Sequence, residues 1–199
     1  MRLLDICSIQ IGYTARARFE PAADGVLAIQ LRDIGEDGID IAQVARVQVN
    51  ERIDRYLVQR GDVLFRSRGE RNIAAALDER FAEPAIAVSP LMTLRPNRTA
   101  ILAEYLAWAI NQPDAQRQFD SAARGTSIRM VPKAALNDLN IDVPDLETQR
   151  RIVSIDTLAA REEVLMHLLA EKKRNLTNLR LAEQARHSLL PTQSKRIGT

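Results

Sequence analysis

Two short loops hold the residues of this chain best suited to chemistry with an anionic ligand. The first is Arg66-Ser67-Arg68-Gly69-Glu70-Arg71; the second is Arg124-Gly125-Thr126-Ser127-Ile128-Arg129, with Lys133 close behind it. A guanidinium is a planar fork of donors that fits a phosphate or the edge of a guanine, and a loop at the end of a rigid strand is a good place to present one. Arg66, Arg68, Arg71, Arg124, Thr126, Ser127, Arg129 and Lys133 are therefore candidates for one DNA-facing surface. The same stretches also suit solvated surface turns, and Gly125 can simply end the preceding helix in a left-handed turn.

Nothing else in the chain suggests a reactive centre. It lacks a Gly-x-x-x-x-Gly-Lys phosphate loop, a Gly-x-Gly-x-x-Gly strand turn, a His-Glu-x-x-His pair and a Gly-x-Ser-x-Gly elbow. An Asn-Pro-Pro-aromatic tetrapeptide of the kind used to methylate DNA amino groups is missing too. Cys7 is the single cysteine, and with only His167 and His187 beside it no zinc cluster can be assembled. Cys7 reads as a small buried apolar residue. The chain is expected to be no enzyme, to hold no metal and no cofactor, and to leave any catalysis to a partner.

The elements that must position the two loops are mostly strands. Leu3 to Ile11 is apolar-periodic and suits a first helix or strand, and Tyr13 to Gly25 reads as a loop. Val26 to Leu31 suits a strand, Ile34 to Gly38 a turn, and Ile39 to Val49 another strand or a pair of them. Arg60-Gly61-Asp62 makes a turn into a short buried strand, Val63-Leu64-Phe65, which feeds the first arginine loop. Ile73 to Leu77 and Ala85 to Leu94 continue the sheet, the latter broken or bulged at Ser89-Pro90. Helices are predicted over Ile101 to Asn111 and Asp114 to Ala122, then the second loop, then a short helix over Lys133 to Leu139. Asn140 to Pro144 is read as a last strand.

From Val143-Pro144-Asp145-Leu146-Glu147 onward, more than forty residues run without glycine or proline until Pro191. This is the pattern of one long helix, with Asp145 able to cap its first turn and Glu147 near the positive end of its dipole. Ile155, Leu158, Leu165, Leu169, Leu176, Leu179 and Leu190 recur in steps of three and four, the a/d stripe of a coiled coil. Glu162, Lys172, Glu183 and Arg186 fill the missing seam positions, and Val164 and Leu168 widen the apolar face. At about 1.5 Å per residue the helix is roughly 65 Å long, which favours a projecting, dimerising spacer over a helix laid on its own domain.

Composition bounds the rest. At 199 residues, 46% hydrophobic and 27% charged, the chain suits one full core and an appendage. No apolar run approaches the roughly 18 residues that span a bilayer, and Met1-Arg2-Leu3-Leu4-Asp5 lacks the apolar core of a signal peptide, so a cytoplasmic protein without a membrane partner is expected. Residues 1 to 146 hold 18 basic and 20 acidic residues, whereas 147 to 199 hold 10 and 6. Overall charge thus lends DNA binding no support, and any basic surface must be local.

Taken in order, Gly61-Asp62-Val63-Leu64, then Ser89-Pro90-Leu91 leading to Leu94-Arg95-Pro96, then the Tyr105-Leu106 helix, then Gly125-Thr126-Ser127, then Ile141-Asp142-Val143-Pro144-Asp145-Leu146-Glu147-Thr148-Gln149-Arg150-Arg151-Ile152 form a series. The series, over roughly residues 3 to 190, resembles one half of the specificity subunit of type I restriction-modification systems. That resemblance implies an α+β fold: a β-rich globular target-recognition domain with several helices over 1–146, one long coiled-coil helix over 147–190 and a flexible tail over 191–199. It also implies loops that enter a DNA groove, and methyltransferase and possibly restriction or translocase subunits as partners. Family members usually carry two such halves whose helices pair antiparallel and set the gap in a bipartite target. A single half departs from that pattern, as a natural half-size subunit, a truncation or an excised piece.

An antiparallel homodimer through Ile155, Leu158, Leu165, Leu169, Leu176 and Leu179 is therefore expected, since an unpaired leucine stripe of this length is an aggregation hazard and a two-fold dimer covers it with one self-complementary patch. At about 3.4 Å per base pair, such a helix caps the separation of two recognition domains at roughly 20 base pairs. A second reading stays open at this point: a coiled-coil interaction adaptor of a defence complex that does not read DNA.

Overall fold

The computed structural model describes residues 1–15, 18–35, 38–49, 51–69, 71–122 and 130–188. Arg124, Thr126, Ser127 and Arg129 of the second loop, and the tail from 191, lie outside the described residues.

In chain order the strands are β1 (Cys7–Ile11), β2 (Pro21–Ile29), β3 (Ile34–Gly35), β4 (Gly38–Ile39), β5 (Ala45–Val47), β6 (Leu57–Val58), β7 (Val63–Arg66), β8 (Ala74–Ala76), β9 (Ala85–Ala87) and β10 (Leu91–Pro96). The helices α1 (Ala103–Asn111), α2 (Pro113–Ala122), α3 (Lys133–Asp138) and α4 (Leu146–Ser188) follow. One antiparallel sheet has the order β1-β10-β7-β8, and a second has the order β5-β2-β9-β6, in which β2 and β9 run parallel. β3 and β4 form a small hairpin of their own.

Strand sequence explains the layering. Side chains alternate across a sheet, so a strand buried on both faces can be apolar throughout. In β7, Val63 and Phe65 enter the core built with α1, α2 and α3, while Leu64 between them enters the core beneath β2 and β9. β10 divides likewise, with Met92 and Leu94 on the helix side and Leu91 on the other. In the second sheet Leu27, Ile29, Ala85 and Ala87 point into the shared core, and Ala28 and Ile86 into a smaller cluster with Tyr13 and Val47. The order is thus helices, first sheet, shared core, second sheet, outer cluster.

Four expectations are corrected. The strand breaks at Ser89–Pro90 as expected, but Ala85 to Leu94 does not continue one sheet, since β9 and β10 on the two sides of that cis peptide belong to different sheets. Pro21 to Gly25 is not loop but the start of β2, paired with β5 across a register shift between Pro21 and Val26. Ile34 to Gly38 is not merely a turn, since Ile34 pairs with Ile39 and Gly35 with Gly38. Asn140 to Pro144 is not a strand; only Asn140 makes a bridge, to Arg2, and the chain then enters α4 without strand pairing. Apart from the local Ile34–Ile39 hairpin, these depend on pairing between distant segments, which local propensity does not encode.

The chain divides into two compact units, Met1–Val153 and a second from Ser154 on. Within the first, α4 begins as anticipated: Asp145 Oδ1 accepts from the Thr148 N–H at 2.9 Å and Oδ2 accepts from its hydroxyl at 2.8 Å. These Thr148 bonds hold the Asp145 carboxyl below the usual aspartate range. Gln149 is fully buried; its Oε1 accepts from Leu102 N at 2.9 Å, and its Nε2 donates to Ala100 O and Pro144 O. In the second unit Ile155, Leu158, Leu165, Leu169, Leu176 and Leu179 are between 49% and 68% exposed among the described residues.

Candidate nucleic-acid interface

β7 and β8 are joined by the first arginine loop, and the loop is fastened at Arg66, Ser67, Arg68 and Asn72. Arg66 N donates to Ile73 O at 2.7 Å, closing the connection at its base. Asn72 Nδ2 donates to Arg66 O at 3.1 Å, and Gln116 Nε2 on α2 donates to Asn72 O at 2.9 Å. Two residues further, Asn111 at the end of α1 binds the Ala74 backbone twice, accepting from its N–H at 2.8 Å and donating to its carbonyl at 2.9 Å. Two helices thus hold the hairpin whose tip carries Arg68 and Arg71.

Ser67 is buried, with its hydroxyl donating to Pro90 O at 2.5 Å. Gly69 has φ +135°, and a Cβ there would stand 2.9 Å from the Arg66 guanidinium. Only glycine turns the chain here without pushing Arg66 aside. Arg66 itself is half-buried, donating through Nε to Arg68 O and through Nη1 to Ile34 O, each at 3.3 Å. It therefore ties the loop to the β3–β4 hairpin and is partly occupied as a structural donor. Arg68 and Arg71 are exposed.

The first basic loop is bridged to the segment that follows the second. Arg68 forms an antiparallel bridge with Met130, and Val131 N donates to Ser67 O at 2.8 Å. Met130 immediately follows the second loop, so the exit of that loop is pinned to the tip of the first. Lys133, exposed, opens α3 three residues later. Arg66, Arg68 and the approach to Lys133 are thus brought to one end of β7, with Arg71 on the same connection.

Sequence reading passed over the residues that make this arrangement firm: Ser67, Gly69, Asn72, Asn111 and Gln116. Their local signal is faint: Asn111 at the end of α1, for instance, looks like a cap until its hairpin partner is known. A cleft of about 520 Å³ is lined by Arg32, Asp33, Gly35, Gly38, Asp40, Gln43 and Arg80 among others. Arg80 is paired with Asp78, and Arg32 lies 3.6 Å from Asp33, so its charges are balanced and do not single out an anionic ligand. Among the described residues, no group of three or more His, Cys, Asp and Glu could hold a metal, and no helix is long and apolar enough to cross a membrane.

Residues 1–174 match the sequence model of the type I restriction modification DNA specificity domain. The chain belongs to that family. Among solved structures, the specificity domain is similar to a chain in a study of complex assembly and conformational transition of the type I R-M system, with 22% identity and a TM-score of 0.65 over 91% of this chain and 43% of that one. It is also similar to the HsdS subunit from Thermoanaerobacter tengcongensis, with 22% identity, a TM-score of 0.62 and coverage of 91% and 42%. The S subunit of the type I restriction-modification system from M. genitalium gives 16%, 0.55, 89% and 43%. These likenesses establish the α+β fold with its long C-terminal helix. This specificity domain spans less than half the length of those chains. No curated protein matches it.

Proposed function

We propose that the protein is a sequence-specific DNA-binding specificity subunit of a type I restriction-modification system. It reads duplex DNA through Arg66, Arg68, Arg71 and Lys133, together with Arg124, Thr126, Ser127 and Arg129, and performs no chemistry itself. Methyltransferase subunits, and a restriction or translocase subunit where one exists, are recruited to a bipartite target in the cytoplasm. Residues 1–146 act as the recognition domain, and 147–190 as a spacer that pairs antiparallel with a second copy through Ile155, Leu158, Leu165, Leu169, Leu176 and Leu179.

The observation that supports this reading is the Arg68–Met130 bridge, which ties the first basic loop to the residue that follows the second in a member of a DNA specificity family. In a chain whose residues 1 to 146 are slightly acidic overall, a firm local concentration of arginines is what a phosphate or base contact needs. Selection of bound duplexes from a random-sequence pool tests it directly. Enrichment of one bipartite motif is expected; equal retention of all sequences, or of none, is incompatible with the proposal.

A further inference from the structure

The exposed stripe of α4 reads the same in both directions, and from this we infer that a second copy of the chain packs against it in one antiparallel register, with the two-fold axis at the level of His167. The inference rests on the dimer proposed above and adds its register.

In an antiparallel helix pair, each a position faces a d position of the partner. Centred on His167, Leu165 meets Leu169 of the second copy, Leu158 meets Leu176, and Ile155 meets Leu179. The remaining layer puts Glu162 against Lys172. From Ile155 to Leu179 every apolar residue of the stripe thus faces another, and the charged residue faces its opposite. Sliding the helices by one heptad places Glu162 against Leu165 or Leu179 and Lys172 against Ile155 or Leu169. A parallel pair in register is worse, because Glu162, Lys172, Glu183 and Arg186 each meet their own kind. One arrangement alone satisfies the stripe.

The charged layer has no oppositely charged neighbour three or four residues away on its own helix. Residues three and four away from Glu162 are Leu158, Ala159, Leu165 and Met166, and those around Lys172 are Leu168, Leu169, Asn175 and Leu176. The same axis accounts for Met166 and Leu168, which flank the seam at 64% and 47% exposure and lie off the a/d stripe. In this register each approaches its own copy across the axis, closing the middle of the interface on both sides. Self-complementarity of this kind points to a second copy; an unrelated partner helix would not require it.

Sedimentation equilibrium with charge exchange tests the register. Glu162→Lys and Lys172→Glu should each raise the dimer Kd by roughly tenfold or more, and the double variant Glu162→Lys/Lys172→Glu should return it to about the wild-type value. A second measurement is independent of charge. In a Cys7→Ala background, Leu158→Cys and Leu176→Cys proteins should form a disulfide-linked dimer when mixed, and neither should do so alone. A wild-type chain that stays monomeric at roughly 50 μM overturns the dimer and the register together. A wild-type dimer whose charge exchange fails to restore affinity, or in which Leu158→Cys links to itself, overturns the register and leaves the dimer standing.

Discussion

The carbonyl of Ser67 accepts a hydrogen bond from the Val131 N–H at 2.8 Å, while the Ser67 hydroxyl donates to Pro90 O at 2.5 Å. One buried serine therefore connects the first basic loop to the exit of the second and to the turn before β10. Ser67→Ala removes the hydroxyl bond and leaves the Pro90 carbonyl without that donor, at a cost of about 1 kcal/mol. Urea denaturation should show a lower midpoint with an unchanged slope. An unaltered midpoint would mean the hydroxyl carries no weight.

Gly69 supports Arg66 rather than DNA. A Cβ at φ +135° is strained and stands 2.9 Å from the Arg66 guanidinium, so Gly69→Ala should destabilise by about 1–2 kcal/mol and displace that side chain. DNA affinity should fall along with stability. Thermal unfolding and fluorescence anisotropy on one duplex together check it; full affinity in a stable Gly69→Ala protein would remove Gly69 from the account.

Gln149 is the buried fastener between the start of α4 and the approach to α1. Its loss leaves Leu102 N without its acceptor and Ala100 O and Pro144 O without donors from this amide. Gln149→Leu, close in size but unable to bond, should cost roughly 2–4 kcal/mol by chemical denaturation. A cost below about 0.5 kcal/mol would show that neighbouring groups or water take over.

What could be read from the sequence, and what could not, follows from the range of the forces involved. The long helix was legible because proline-free length, the Asp145 cap and the leucine period are all local. Val63-Leu64-Phe65 was legible as a buried strand, since an unbroken apolar run needs cover on both faces. Its two cores were not, nor was the division of β9 and β10 between sheets, because those depend on which distant strand lies alongside. For the candidate interface, the arginines could be named from the two loops, yet the backbone bridge from Arg68 to Met130 joins residues 62 apart in the chain. Gln149 stood in view within the family-like junction, but its burial and its three bonds emerge only when α1 is packed beside it.

Cys7 should be inert in the folded protein. It is a free, buried thiol in β1, and burial pushes its pKa up to about 12. The thiolate is the reacting form, so modification near pH 8 should be slow while the chain is folded and rapid once it is unfolded. A thiol-exchange assay with and without denaturant reads this. Prompt stoichiometric reaction without denaturant would contradict the packing described for β1.

The central claim is that the surface joined by Arg68 and Met130 holds DNA, and the most direct test is a salt titration of binding by the wild type and by Arg66→Ala/Arg68→Ala/Arg71→Ala/Lys133→Ala. Each lost phosphate contact should flatten the slope of log K against log salt by about 1 and weaken all duplexes alike, and each lost guanine contact should cost about 1–3 kcal/mol on the cognate duplex. The account predicts a folded quadruple variant with strongly reduced affinity, a shallower salt slope and relaxed sequence preference. Affinity, slope and preference indistinguishable from the wild type would contradict it.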